Sequence, residues 1–274
     1  MSAEFTSHSL FLTFFLFDGL EYIPLLAGSI IASYFIAWLL FASQAGSLSD
    51  KYGWKLFIIL GSIISGVCFL LQPLWNNFIY LLILNIANGL GNALLLGPVL
   101  ALIAHNTPEK NYSSIMGTYY AAKSIASIVG LVVGSLAWDL LNIYGSPVFS
   151  LYCLLIIILV LISGTSEGRD VEKVVISEIK EFRDVLNPFN AIIDGWKQQV
   201  FRKYAIAWLA FSTLVAGGGQ YMPVILVDLS NGALDATDVL ILLVPVILFV
   251  TLAQPIIGYL ADKFGRIIFQ YLGI

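Results

Sequence analysis

Polar side chains that could bind a small molecule interrupt several long apolar stretches of this sequence. Asn85, Asn88 and Asn92 fall within one stretch, and their spacings of three and four place them on one face of a helix. Carboxamides are costly in apolar surroundings unless they face a cavity or a partner helix. The three asparagines are therefore candidates either for hydrogen bonding a solute or for packing between helices.

Two further candidate sites lie later in the chain. Lys123 is about ten residues into the apolar run Ser114–Leu141, where a lysine could bind an anionic group or change its protonation state. The alternative is a lysine whose long stem reaches back to the polar boundary. Gln220 and Tyr221 lie in Gly217–Pro223, where three glycines and a proline predict either exposed backbone at a solute site or a simple kink.

The composition indicates what kind of protein must position these residues. Of 274 residues, 59% are hydrophobic and only 11% are charged, whereas a soluble domain has about 25% charged residues. Too few polar side chains are available to cover a water-exposed surface. This excludes a soluble enzyme, a disordered protein and a secreted disulfide scaffold, and it predicts a polytopic helical membrane protein.

Seven apolar runs are long enough, or nearly so, to cross a bilayer, which takes about 20 residues per helix. Backbone in lipid must satisfy its own hydrogen bonds, so we expect an all-α transmembrane bundle with about seven intact spans. The runs are Leu25–Ala45, Leu56–Leu71, Phe78–Ala104, Ser114–Leu141, Val148–Ser163, Tyr204–Val227 and Val239–Leu260.

The positive charges predict which side each connection faces. Lysine and arginine occur in every second connection, most densely in residues 164–203. The alternate connections Gln72–Asn77, Asn142–Pro147 and Asp228–Asp238 contain neither residue. Because basic loops stay in the cytoplasm, residues 164–203 are predicted to be cytoplasmic.

We find no residues that would support catalysis, a cofactor or a metal ion. Cys68 and Cys153 lie in apolar runs, and His8 and His105 are too far apart in sequence to suggest a metal site. The net charge of −4 does not suggest a nucleic-acid partner. We therefore expect a protein that is not an enzyme and whose surroundings are the lipid bilayer.

An internal repeat gives the most specific information. Gly46–Gly53 reads GSLSDKYG, and GYLADKFG recurs 212 residues later at Gly258–Gly265. Each copy follows an apolar run and is predicted to form a short basic loop. Two copies at equivalent positions indicate a parallel repeat of two helical bundles.

In this motif the sequence resembles the major facilitator superfamily, whose signature G-x-L-a-D-r-x-G-r-[RK] lies between the second and third helices of each six-helix half. This chain departs from it at Trp54 and at Ile267. The family's motif is held to latch the inner gate. The resemblance assigns this role to Gly46, Asp50, Gly53, Lys55, Gly258, Asp262, Gly265 and Arg266.

The resemblance also implies a domain organisation. Residues 1–163 would form an N-terminal half with a truncated first helix, 164–203 the linker, and 204–274 an incomplete C-terminal half. The seven runs would then correspond to family helices two to eight, with helices ten to twelve absent.

The implied function is secondary active or facilitated transport of a small solute by rocker-switch alternating access, in the plasma membrane. A proton or another ion is a candidate co-transported species, and Lys123 points to an anionic organic solute. One alternative is an inactive fragment of such a transporter. Another is a seven-helix receptor or sensor, for which a repeated motif has no evident purpose.

Overall fold

The computed structural model describes residues 11–108, 111–162, 196–197 and 236–264. Every regular element in these ranges is helical, which confirms the predicted all-α class. Within the described residues, six α-helices have defined bounds: α1 (Pro24–Tyr52), α2 (Trp54–Leu71), α3 (Phe78–Asn106), α4 (Tyr112–Leu141), α5 (Ser150–Ile162) and α6 (Ala236–Phe264).

Four of the predicted spans are confirmed as helices long and apolar enough to cross a membrane. These spanning segments are Pro24–Ala42, Trp54–Leu74, Phe78–Leu100 and Tyr112–Tyr144. The predicted run Val148–Ser163 corresponds to the shorter apolar helix Ser146–Ile162. Val239–Leu260 lies inside α6, whereas Tyr204–Val227 and all of the predicted linker except 196–197 lie outside the described residues.

Local sequence explains where the helices begin and end. Pro24 starts α1, a position at which its missing N–H costs nothing. The Asn77 side chain caps α3 by accepting hydrogen bonds from the N–H groups of Ile79 and Tyr80. Gly53 separates α1 from α2 with a φ of 95°, which a residue with a Cβ rarely adopts.

The repeated motif is helical, which corrects the prediction that both copies form loops. In the first copy α1 continues through Tyr52, only Gly53 makes the turn, and Lys55 already belongs to α2. In the second copy, Gly258 to Phe264 are the last two turns of α6. Gly53 is thus the only residue of the first copy that lies outside a helix.

Close approaches of backbone hold α3 between α1 and α2. A Cβ on Gly89 of α3 would overlap the carbonyl oxygen of Tyr34 on α1. On another side of α3, a Cβ on Gly61 of α2 would lie 2.5 Å from the carbonyl oxygen of Gly91. Small residues allow this close packing, which is the main source of helix association in a membrane.

Aromatic side chains close the end of the bundle opposite the motif. Phe149 packs edge-on against Phe11 and Phe69, with ring centroids 5.3 Å and 5.9 Å away. Phe11 also contacts Trp138 of α4 at 5.8 Å. The described part of the N-terminal segment therefore helps to fix the ends of α2 and α4 relative to each other.

Candidate functional site

The second motif copy lies in a seam between α4 and α6, two helices that run antiparallel. At the crossing, a Cβ on Gly258 would lie 2.5 Å from the carbonyl oxygen of Ser113 and 3.3 Å from the Cα of Gly117. A Cβ on Gly117 would lie 2.7 Å from the carbonyl oxygen of Gln254. Glycine is required on both helices because the backbones themselves are in contact.

Asp262 caps the N-terminus of α4 from the neighbouring helix. Its Oδ1 accepts the N–H of Ser113 at 3.1 Å, and its Oδ2 accepts the N–H of Ser114 at 2.7 Å. These amides belong to the first turn of α4, where N–H groups have no partner within the helix, and the N-cap Asn111 supplies no side-chain bond. A carboxylate there also meets the positive end of the helix dipole.

The electrostatics of this cap favour the ionised carboxylate. Desolvation at the seam raises the pKa of Asp262, but the hydrogen bonds from Ser114 and Ser113 outweigh it and hold that pKa well below its usual range. Asp262 is therefore an anion at any physiological pH. The structure gives Asp262, which the sequence predicted as part of a latch, a defined contact with the first turn of α4.

Sequence reasoning missed Gln254 and all of the α4 residues of this seam, which are Ser113, Ser114, Gly117 and Ser124. Ser124 Oγ donates a hydrogen bond to Gln254 Oε1 at 3.2 Å. Gln254, Gly258 and Asp262 are spaced by four residues, so they share one face of α6. That spacing was the available signal in the sequence.

The two motif copies differ in what they contact. Among the described residues, nothing lies within 4 Å of a Cβ built on Gly46, whereas the equivalent Gly258 faces the backbone of α4. The backbone of Gly46 instead touches α3, because a Cβ on Gly97 would lie 3.0 Å from the Gly46 nitrogen. The side chain of Asp50 lies outside the described residues, as do Gly265 and Arg266.

Lys123 lies on α4, immediately before the seam residue Ser124. It is eleven residues from Tyr112, where α4 begins, and therefore about 16 Å along the helix axis. Its side chain is half-buried, with Nζ 5.9 Å from the ring centroid of Tyr120. This distance is at the outer limit of a cation–π contact, so the ammonium group keeps capacity for a stronger partner.

The asparagines of α3 are buried in the group formed by α1, α2 and α3. Asn85, Asn88 and Asn92 are 3%, 2% and 5% exposed. Asn85 Nδ2 donates to the carbonyl oxygen of Leu81 at 3.0 Å, one turn earlier in α3. The Oδ1 atoms of Asn85 and Asn88 accept no hydrogen bond from the described residues. These amides therefore lie on a different helix from Lys123 and from the seam.

Gln220 and Tyr221, the remaining predicted solute contacts, lie outside the described residues. Within the described part of the chain, no group of three or more histidine, cysteine or acidic side chains is placed to hold a metal ion.

Comparison with known proteins places this architecture in a family. The sequence model of the Major Facilitator Superfamily matches residues 2–274. The chain belongs to the Major Facilitator Superfamily. Proteins of this superfamily carry small-molecule solutes across membranes, so the apolar helices are those of an integral membrane protein in a transport family. None of the curated proteins compared with the chain matches it.

Proposed function

We propose that this superfamily member transports an anionic organic solute by rocker-switch alternating access, as a secondary active or facilitated transporter of the plasma membrane. The observation that carries the proposal is the cap that Asp262 of α6 places on α4. If residues 1–163 and 204–274 form the two halves, α4 and α6 belong to different halves. The cap then closes the gate on the cytoplasmic side, where residues 164–203 also lie.

The strength of this contact suits a gate that must open repeatedly. A hydrogen bond to a charged group contributes about 1.5–3 kcal/mol, so two such bonds hold the ends of the helices without fixing them permanently. The glycine crossing adds contact area but no bulky side chains that would have to leave their positions. By the repeat, Gly46, Asp50, Gly53 and Lys55 form the corresponding latch of the first half, and Gly265 and Arg266 complete the second.

Lys123 is the residue we assign to the solute. It carries a positive charge at about the middle of α4, and a half-buried ammonium group gains most from an anionic partner such as a carboxylate or phosphate. Gln220 and Tyr221 are proposed to form hydrogen bonds with the solute. The burial of Asn85, Asn88 and Asn92 favours helix packing over direct solute contact.

The solute assignment is tested with the full chain reconstituted in liposomes. The probes are radiolabelled monocarboxylates, dicarboxylates and inorganic phosphate, with a neutral sugar for comparison. We expect uptake or thermal stabilisation by at least one anion, and we expect Lys123→Met to abolish it because the ammonium group is lost. A coupling ion is identified by repeating the measurement with an imposed proton or sodium gradient.

Lys197→Met is the matched control, because it removes the same charge from an exposed site outside the seam. It should leave the response to the anion unchanged. Equal responses of Lys123→Met and the parent protein would contradict the solute assignment. If no solute of any charge bound or crossed the membrane, the chain would instead be an inactive fragment.

A further inference from the structure

A second polar contact joins α4 and α6 farther along the seam than Asp262. Ser124 Oγ donates to Gln254 Oε1 at 3.2 Å. Gln254 precedes Asp262 by eight residues, which is about 12 Å along the helix. The crossing of Gly117 and Gly258 lies between these two contacts, so the seam has a polar contact on each side of its closest approach.

The two contacts are chemically different. Asp262 is charged, receives two backbone N–H groups, and sits at the terminus of both helices. Gln254 is neutral and receives one hydroxyl group from a residue well inside α4. If the ends that carry Asp262 and Ser113 separate by a rocking motion, displacement grows with distance from the axis of rotation. Asp262 therefore moves far, and a contact near the axis barely moves.

We propose that Gln254 is a positioning residue, and that its hydrogen bond with Ser124 is the pivot about which α4 and α6 rock. The bond stays closed while the Asp262 cap opens. Because Ser124 directly follows Lys123 in α4, the pivot also keeps the depth of Lys123 constant during the motion. This inference rests on the proposed alternating-access function.

The test uses amide hydrogen exchange of the full chain in nanodiscs. The Ser113 and Ser114 N–H groups donate their hydrogen bonds to Asp262, so their exchange rate reports opening of the cap. Cys68 and Cys153 are first replaced by alanine. Ser124→Cys and Gln254→Cys are then introduced and joined by a short bifunctional thiosulfonate reagent.

A pivot predicts that the cross-linked protein exchanges the Ser113 and Ser114 amides within about twofold of the parent protein, whose hydrogen bond the cross-link replaces. Exchange about tenfold or more slower than in the parent protein would overturn the proposal, because it would mean that Ser124 and Gln254 must separate before the cap can open.

Two single substitutions test whether the hydrogen bond positions the helices at all. Ser124→Ala and Gln254→Leu should each speed exchange of the Ser113 and Ser114 amides by about threefold or more, because the crossing loses its fixed register. Ser127→Ala is the control, since Ser127 Oγ bonds to the carbonyl oxygen of Lys123 within α4. If all three variants exchange alike, Gln254 has no positioning role.

A different result is expected if Asp262 does not hold the gate closed. In that case Asp262→Asn would leave the exchange rates of the Ser113 and Ser114 amides unchanged. If only the pivot is wrong, Asp262→Asn still speeds exchange while the Gln254 variants do not.

Discussion

Ser114 donates its backbone N–H to Asp262 Oδ2 at 2.7 Å, although 148 residues separate the two in sequence. A helix N-terminus is normally capped by the residue just before it, but the N-cap of α4, Asn111, makes no side-chain bond. The cap of α4 is instead supplied by Asp262 of another helix, α6. Stability of the first turn of α4 therefore depends on whether α4 and α6 are together, which is the property required of a gate.

The first prediction concerns pH. The folded-state pKa of Asp262 lies below its value in an unfolded chain, about 3.9. Its contribution to stability is therefore complete above that value and is lost only as pH falls through the lowered folded-state pKa. From pH 8 to pH 5, we expect no change in the exchange protection of Ser113 and Ser114 after correction for intrinsic rates. A protection midpoint between pH 5 and 7 would assign the cap to another titrating group.

The second prediction compares the equivalent glycines of the repeat. Gly258→Ala places a Cβ 2.5 Å from the Ser113 carbonyl oxygen, so the helices must move apart. We expect a loss of about 1–3 kcal/mol, visible as a lower Tm in tryptophan fluorescence.

Gly46→Ala is the matched control for that change. Both substitutions lie inside a helix, where alanine is more favourable than glycine by about 0.5–1 kcal/mol because of its higher helix propensity. Unlike Gly258, however, Gly46 faces open space among the described residues. Its Tm should stay equal or rise slightly. An equal loss of Tm in both variants would mean that Gly46 is also packed against another part of the protein.

The third prediction concerns the buried asparagines. Asn88→Leu removes an amide whose Oδ1 has no partner among the described residues, so we expect no loss of Tm and no loss of solute uptake. Asn77→Leu is the control, because Asn77 Oδ1 accepts from two backbone N–H groups of α3. Losing that cap should cost about 1 kcal/mol. If Asn88→Leu is equally destabilising, its amide binds another group, and a solute contact becomes the better explanation.

The sequence predicted the helices well because their signal is local. Apolar runs of about 20 residues determine spanning helices wherever they occur, and α1 to α4 follow them closely. The motif showed where two helices end, but it suggested loops, because hydropathy marks the membrane boundary rather than the helix boundary. In both copies the helix continues through the polar residues.

The contacts of the candidate site could not be predicted in the same way. The bonds from Ser113 and Ser114 to Asp262 join α4 to α6, and no pattern within either helix encodes their crossing. The repeat predicted equal roles for Gly46 and Gly258, yet only Gly258 contacts another helix through its Cβ direction in the described residues. Gln254 was overlooked because its hydrogen-bond partner, Ser124, is 130 residues away in the sequence.

The most direct test of the gate is the hydrogen exchange rate of the Ser113 and Ser114 amides in Asp262→Asn. Asp139→Asn is the control, since it makes the same chemical change in α4, far from the cap. We predict that exchange in Asp262→Asn becomes about tenfold faster or more, because the charge-assisted bonds are lost, and that Asp139→Asn matches the parent protein. Equal exchange in all three proteins would contradict the account, because Asp262 would then not hold α4 to α6.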